Sequence, residues 1–303
     1  MKLYAPAYYG EFKCIADKCK HSCCAGWEID IDKDTLERYK AREGGYFDSI
    51  IGSIDFEGDA HFRLMKGEKC PHLDSSGLCR IITELGEGWL CDICREHPRF
   101  YNDTPRGTEV GVGMSCEAAC RLILESEDYR DIALIGEVDG QISNFEFDTA
   151  AERDKIYSIL SDKGLPYPQR LVELWRGYDV SPKILSDEAW REILGYLEYL
   201  NAENRELFSL YSSSEESLGE QDSVLEKFLA YMIFRHTTPK ATKEGFRAAL
   251  GFSFFAERLL ASVLKAGKII DKAEVFEVAR TISEEIEYSE ENTAAITMEF
   301  EFG

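Results

Sequence analysis

The sequence predicts a mainly α-helical protein in two parts. The N-terminal part is irregular, with short helices and a small hairpin, and the C-terminal part is a helical domain. All 10 cysteines lie between Cys14 and Cys120, in a region with few long periodic runs. Farther along, apolar residues recur at three- and four-residue spacing, as in helices packed on a core. Turn signals in residues 139–148 therefore mark the expected change from a cysteine-rich domain, 1–145, to a helical domain, 146–303.

The cysteines occur in tight groups, which point to ligands or bridges. The groups are Cys14-x4-Cys19-x3-Cys23-Cys24, Cys70-x8-Cys79, Cys91-x2-Cys94 and Cys116-x3-Cys120. Such density indicates either bound metal or disulfides. No apolar signal segment follows Met1-Lys2, and a chain of 303 residues can bury a core without disulfide staples. We therefore expect a cytoplasmic protein whose irregular N-terminal part is organised by metal.

Charge and hydropathy exclude two classes of partner. The formal net charge is −22, and binding to nucleic acid requires a surface dominated by lysine and arginine. A membrane span needs about 18 uncharged apolar residues in a row. The longest apolar run, Ala248 to Leu264, is interrupted by Glu257 and Arg258. We expect neither a nucleic-acid partner nor a membrane partner.

Three short elements are predicted in the cysteine-rich part. Asp34 to Arg42 has the pattern of a helix that begins at Asp32 or Asp34 as its cap. Arg99 to Ser115 alternates around Pro105-Arg106-Gly107, which predicts a hairpin. Cys116 to Ser126 predicts a helix with one apolar stripe.

The C-terminal part is predicted to be helical in five segments. These are Thr149–Leu160, Asp187–Asn201, Ser223–Arg235, Lys243–Ala266 and Lys272–Ser289. Prolines between the segments, at positions 166, 168, 182 and 239, are interpreted as helix breakers. The tail Met298 to Phe302 alternates, which predicts an edge strand or a disordered end.

The spacing alone leaves the type of metal open. A structural zinc site usually takes four Cys or His ligands in two short-spaced pairs, and Cys91-x2-Cys94 supplies one pair. Adjacent cysteines such as Cys23 and Cys24 are unusual in a zinc ribbon. Iron–sulfur clusters also take four thiolates, with less regular spacing. Ten thiols suffice for one cluster with spares, or for two sites.

Three segments resemble the flagellin lysine-N-methylase family. They are residues 12–32 (FKCIADKCKHSCCAGWEIDID), 70–100 (CPHLDSSGLCRIITELGEGWLCDICREHPRF) and 114–124 (MSCEAACRLIL). The second segment also resembles the wider family of zinc- or iron-chelating domains with a CxxCxxCC motif. Glu117 stands where the methylase family tends to have proline, and Cys91 and Cys120 are additional to its pattern.

The resemblance implies N-methylation of lysine side chains on flagellin, with S-adenosylmethionine as the methyl donor and flagellin as the protein partner. It implies a cysteine-ligated metal centre, with an iron–sulfur cluster favoured over zinc. The metal-linked set that it indicates is Cys14, Cys19, Cys23, Cys24, Cys70, Cys79, Cys94 and Cys116. We expect Cys120 to be a small buried residue. For Cys91, both roles stay open: metal ligand and small buried residue.

The residues that bind the donor are not fixed by a motif. Gly111-Val112-Gly113 lacks the third glycine of a dinucleotide-type loop. Arg95 and Arg99 could each bind a carboxylate through two nitrogens, and Trp27 could offer an aromatic face to the sulfonium. Catalytic residues are not assigned.

Two histidines near the cysteines and two alternative functions bear on this interpretation. We expect His72 and His97 to be hydrogen-bonded structural residues, because thiols are already in excess. The alternative function is a non-enzymatic zinc- or iron-binding module that acts through protein partners. A redox role for Cys91-x2-Cys94 would need a surrounding βαβ pattern, which the sequence lacks.

Overall fold

The computed structural model of the chain describes residues 1–138, 140, 145–240 and 242–301. Its contacts divide it into two units. Lys13–Phe100 is called here the cysteine unit, and Met1–Phe12 with Tyr101–Gly303 is called the helical unit. The predicted boundary at residue 145 falls inside the helical unit, and separate folding of 1–145 and 146–303 stays a prediction. Residues 139 and 141–144 of the predicted turn region lie outside the described residues.

Helix accounts for 54% of the chain, which confirms the mainly helical class. The strands are β1 Lys2–Pro6, β2 Ile54–Asp55, β3 His61–Phe62, β4 Arg99–Thr104, β5 Gly107–Val112 and β6 Ile132–Glu137. The α-helices are α1 Lys33–Lys40, α2 Tyr46–Gly52, α3 Arg80–Leu85, α4 Asp92–Glu96, α5 Glu117–Glu125, α6 Thr149–Leu160, α7 Tyr167–Tyr178, α8 Asp187–Tyr196, α9 Asn204–Phe208, α10 Asp222–Thr237, α11 Lys243–Gly267, α12 Lys272–Ile282 and α13 Glu290–Glu301. A π-helical turn, Ser283–Glu287, follows α12.

In the cysteine unit, Asp32 starts two helices. One of its carboxylate oxygens accepts a hydrogen bond from the Thr35 backbone N–H at 2.8 Å, at the start of α1 as predicted. The other accepts from the Asp92 backbone N–H at 2.8 Å, at the start of α4. These bonds satisfy donors that helix N-termini leave open. Asp32 therefore fixes α4, which carries Cys94.

The helical unit contains a four-stranded sheet with the order β4-β5-β1-β6. β4 and β5 are neighbours joined by Pro105 and Arg106, which confirms the predicted hairpin. β1 pairs parallel to β5 and antiparallel to β6. The sequence prediction missed β1 and β6, because each is short and gains its stability from pairing with distant residues.

Most of the predicted helices of the C-terminal part are observed, and three segments need correction. The predicted helix Asp187–Asn201 ends at Tyr196, and residues 197–201 belong to the loop before α9. The sequence prediction missed α7 because Pro166 and Pro168 were interpreted as breakers. Pro168 lies in the first turn of α7, where the missing N–H removes no intrahelical bond. The tail prediction was wrong for residues 298–301, which belong to α13. Ile296 and Phe300, four residues apart, bury one face of that helix, whereas Phe302 lies outside the described residues.

The core of the helical unit is built around α10 and α11, which are buried over most of their lengths. Glu257 and Arg258, which interrupt the apolar run of α11, form a buried ion pair. The Tyr167 hydroxyl donates a further hydrogen bond to Glu257 at 2.8 Å. These contacts compensate for burying both charges. No helix in the described ranges is both long and apolar enough to cross a membrane.

Gly113, directly after β5, occupies a position without room for a side chain. An added Cβ would overlap the Tyr288 hydroxyl and come within 2.9 Å of Arg235 Nη1. We expect Gly113→Ala to lower the free energy of unfolding by about 1 kcal/mol, because the partly exposed Tyr288 side chain must move and gives up its hydrogen bond with Arg235. Urea unfolding would measure the change. As the control, Gly177→Ala in α7 meets no atom within 4 Å and is expected to stabilise the helix slightly.

Candidate functional site

Six sulfur atoms of the cysteine unit lie within electrostatic range of one another. We call Cys23, Cys24, Cys70, Cys79, Cys91 and Cys94 the thiol cluster. Its members influence one another's protonation. Burial is the main cause that raises the pKa of Cys70, and charge on Cys79, Cys91 and Cys23 adds to it; the hydrogen bond with Cys91 is the main cause that raises the pKa of Cys94, and charge on Cys24 adds to it. Cys23 and Cys94, the first and last of these residues, lie about 70 positions apart in the sequence, so the fold brings them together.

Local structure positions each member of the thiol cluster. Cys79 is the residue before α3, and Cys91 is the residue before α4. The Cys70 backbone N–H donates to the Cys24 carbonyl at 2.8 Å, which joins two distant segments. Cys70 and Cys91 belong to the buried apolar core of the unit, and Cys24, Cys79 and Cys94 pack against it.

Burial and sulfur–sulfur contacts determine the protonation states in the cluster. A hydrogen bond from the Cys94 thiol lowers the pKa of Cys91, and the same bond raises the pKa of Cys94 far above its usual range. A hydrogen bond to Cys24, followed by burial, likewise raises the pKa of Cys23. Burial raises the pKa of Cys70 to about 11. Cys23, Cys70 and Cys94 are therefore protonated at neutral pH, whereas Cys91 is the more readily ionised member of the Cys91–Cys94 pair.

The donor atoms of the thiol cluster suit a metal, but their arrangement does not. Thiols are the donors that zinc and iron–sulfur clusters require. Among the residues that the structure describes, however, no group of three or more Cys, His, Asp or Glu side chains is placed to hold a metal ion. The thiols are paired with each other, Cys23 with Cys24 and Cys91 with Cys94. We expected metal to organise the N-terminal part, but the described side chains do not form a metal-binding arrangement. That role for metal stays a prediction.

The other four cysteines lie outside the thiol cluster. Cys14 accepts a hydrogen bond from the Ala16 backbone N–H at 3.4 Å, and the Cys19 thiol donates to the His21 carbonyl at 3.0 Å. Cys116, in the helical unit, is the residue before α5. Cys120 is 1% exposed, as predicted, and its thiol donates to the Phe276 carbonyl at 3.3 Å.

His72 is a structural residue, as expected. It is buried, and both ring nitrogens meet hydroxyl groups: Nδ1 lies 2.7 Å from the Tyr46 oxygen, and Nε2 lies 3.0 Å from the Ser53 oxygen. Burial lowers the pKa of His72 to about 4, so the ring is neutral at physiological pH. Both positions that could bind a metal are thus occupied by hydrogen bonds.

The three predicted donor-binding residues lie near the thiol cluster in sequence and make polar contacts of their own. The Trp27 indole N–H donates to the Cys23 carbonyl at 2.8 Å, and its ring centroid lies 6.2 Å from that of His97. Arg95 pairs with Asp92 and, at 3.4 Å, with Glu96. Arg99 reaches the Arg95 carbonyl at 3.5 Å. Arg95 would have to exchange a carboxylate partner in order to bind the donor.

Two features of the cluster went beyond the sequence prediction. Cys91 was left out of the metal-linked set, yet it contacts Cys94; the x2 spacing was the available signal. Tyr39 also lies beside the thiols: burial, followed by charge on Cys91 and Cys94, raises the pKa of its hydroxyl. That hydroxyl donates to the Trp89 carbonyl at 2.6 Å. No short-range pattern indicated this contact.

Comparisons with known proteins give distant similarity to flagellar and methylating proteins of Salmonella. The chain is 29% identical over 137 residues to proteins named lysine-N-methylase from Salmonella typhimurium LT2 and Salmonella choleraesuis SC-B67. These alignments cover 41% of the chain and 32% of each relative, so the chain spans about a third of their length. It is 28% identical over 132 residues to the flagellar biosynthetic protein FliU of Salmonella muenchen, covering 41% of the chain and 77% of that protein. No protein-family model matches the chain, and no solved structure is significantly similar to it.

Proposed function

We propose that this protein transfers methyl groups from S-adenosylmethionine to the side-chain nitrogen of lysines on flagellin. The observation that carries the proposal is the similarity to the Salmonella lysine-N-methylases. The similarity to a flagellar biosynthetic protein supports flagellin as the substrate. The whole reaction, its donor and its protein substrate are part of the proposal.

The chemistry sets two physical demands on the site. The lysine ammonium must lose a proton before its nitrogen can attack, so a base or a lowered lysine pKa is required. The free amine must then approach the methyl group in line with its bond to sulfur, in a pocket that excludes water. We propose Trp27 for the sulfonium, whose positive charge favours an aromatic face. Arg95 and Arg99 are proposed for the donor's carboxylate.

A cysteine-ligated metal centre belongs to the proposal, with an iron–sulfur cluster favoured over zinc. The proposed ligand set is that of the sequence: Cys14, Cys19, Cys23, Cys24, Cys70, Cys79, Cys94 and Cys116. The thiol cluster supports it by donor chemistry, since five of these eight sulfurs belong to it. A bound metal would supply folding free energy, because thiolate ligands and fold form together.

A second candidate is a non-enzymatic metal-binding module. The thiol cluster supports this candidate as much as it supports the methylase, because sequestering metal needs thiols but no methyl donor. The two candidates differ in one ligand. Only the methylase needs to bind S-adenosylmethionine.

Calorimetric titration of the anaerobically purified protein with S-adenosylmethionine separates the two candidates. The methylase predicts saturable binding that weakens about tenfold or more in Arg99→Ala, since one charge-assisted pair is lost. Arg176→Ala, an exposed arginine of α7, is the matched control and should bind normally. No saturable heat with the wild-type protein would contradict the methylase and leave the metal-binding module.

A further inference from the structure

The loop between α8 and α9 is held in place by two buried polar side chains. Glu285, in the π-helical turn, accepts hydrogen bonds from the backbone N–H groups of Leu200 at 2.7 Å and Asn201 at 3.0 Å. It also accepts one from the Asn204 side chain at 2.6 Å. Bonds to a charged acceptor are about twice as strong as neutral ones. The second half of the loop is therefore fixed by one carboxylate.

The first half of the loop is fixed by Asn292 in α13. Its side-chain oxygen accepts from the Glu198 backbone N–H at 3.1 Å, and its side-chain nitrogen donates to the Glu198 carbonyl at 2.7 Å. The same nitrogen donates to the Glu285 carbonyl at 2.7 Å, which links the two anchors. Glu285 and Asn292 are each 1% exposed. The loop thus has a conformation set from inside the fold.

The last residue of α8, Tyr196, and the fixed loop after it display apolar side chains to solvent. Leu197 is buried, but Tyr196 is 80% and Leu200 66% exposed. A fixed backbone loses little conformational entropy on binding, and exposed tyrosine side chains are enriched among the residues that anchor protein interfaces. The loop has the properties of a preorganised binding surface.

The surroundings of the loop are acidic. Exposed carboxylates lie on the loop, on the segment through α9 and at the start of α13, next to the Asn292 anchor: Glu198, Glu203, Glu206, Glu290 and Glu291. None of these forms an ion pair with another residue in the described ranges. The neighbouring Arg205 is directed to the Leu197 carbonyl at 3.3 Å and the Tyr199 ring. A partner with positive charge around an apolar centre would complement this surface.

We propose that Tyr196 and Leu200, with the surrounding carboxylates, form the surface that docks a lysine-bearing segment of the protein substrate. The inference rests on the proposed function, and it names how the substrate is held rather than how it reacts. A second copy of this chain fits poorly, because its surface would present the same carboxylates and like charges would face each other.

The test combines binding and methylation with purified monomeric flagellin. Tyr196→Ser combined with Leu200→Ser is expected to weaken flagellin binding about tenfold or more. It should raise KM for flagellin by a similar factor and leave kcat unchanged, because the lost contacts act equally in the ground and transition states. Ile270→Ser, which removes an 86% exposed side chain between α11 and α12, is the matched control and should change neither value.

A charge variant tests the second half of the inference. Glu198→Gln, Glu203→Gln and Glu206→Gln together should weaken binding at low salt and reduce its dependence on salt, since these charges steer association. Sedimentation of all variants checks the oligomeric state. A change from dimer to monomer would overturn the proposal in favour of a second copy as the occupant.

The outcomes separate docking from chemistry. If the wild-type protein methylates flagellin and the double variant behaves like Ile270→Ser, the docking surface is wrong and the proposed function stands. If flagellin binds but is not methylated, and the double variant loses binding, the docking surface stands and the proposed function fails. If flagellin neither binds nor is methylated, both are overturned.

Discussion

Replacing Glu287 with glutamine is expected to lower the free energy of unfolding at pH 7 by about 3–5 kcal/mol, the range for breaking a buried ion pair. Glu287 is buried in the π-helical turn and accepts hydrogen bonds from the Tyr231 hydroxyl at 2.5 Å and the Ser283 hydroxyl at 2.6 Å. Arg235 Nε lies 2.5 Å from the same carboxylate. Glutamine is similar in size but neutral, so the mostly buried Arg235 loses its charge partner.

The pKa of Glu287 determines how its contribution to the free energy of unfolding changes with pH. Burial alone would raise the pKa of Glu287, but the ion pair with Arg235 and the contacts of His236 and Ser283 hold it at about 2. The folded-state pKa lies below the unfolded value. The carboxylate therefore contributes stability above about pH 4.5 that is lost as the pH falls towards about 2.

Urea unfolding at a series of pH values measures both effects. The difference in stability between wild type and Glu287→Gln should be largest near neutral pH and should shrink below about pH 4.5. Glu290→Gln, an exposed position three residues along the chain, should unfold like the wild type. A constant difference at all pH values would show that the contribution is not that of an ionised Glu287.

The second large effect is expected for Cys94→Ser, if the thiol cluster holds metal as proposed. We expect the variant to lose most of its bound metal and the cysteine unit to become sensitive to protease. The reason is that the binding free energy of a structural metal, about 10–16 kcal/mol for zinc in small domains, is folding free energy. Elemental analysis and limited proteolysis of anaerobically purified protein measure the two results.

Cys120→Ser is the control for this experiment. Cys120 lies in the helical unit with its thiol bonded to the Phe276 carbonyl, and a hydroxyl can make the same bond. Its metal content should equal that of the wild type. Equal metal content and protease resistance in both variants would remove Cys94 from the ligand set.

The sequence predicted local features of the fold better than contacts between distant residues. The capping pattern at Asp32 and the period of Thr149–Leu160 depend on neighbours within one or two turns, and both are observed. β1, by contrast, is stabilised by β5 and β6, which lie more than 100 residues away in sequence. Pro168 was misread because its effect depends on where the helix begins.

In the candidate site too, local features were predicted and contacts between distant residues were not. The grouping of cysteines indicated sulfur chemistry, and Cys120, which is additional to the methylase pattern, is buried as expected. The pairing of Cys91 with Cys94 depends on the turn at the start of α4, which Asp32 fixes from a distant segment. The two anchors of the α8–α9 loop, Glu285 and Asn292, also act across about 90 residues. Their roles follow only from the assembled fold.

Mass spectrometry of flagellin, after incubation with the purified protein and S-adenosylmethionine carrying a deuterated methyl group, tests directly whether flagellin lysines are methylated. We expect lysine residues of flagellin to become heavier by one or more deuterated methyl groups. No such label is expected when S-adenosylmethionine or the protein is omitted. Unlabelled lysines in the presence of protein that retains its metal and binds the donor would contradict the claim that flagellin lysines are the substrate.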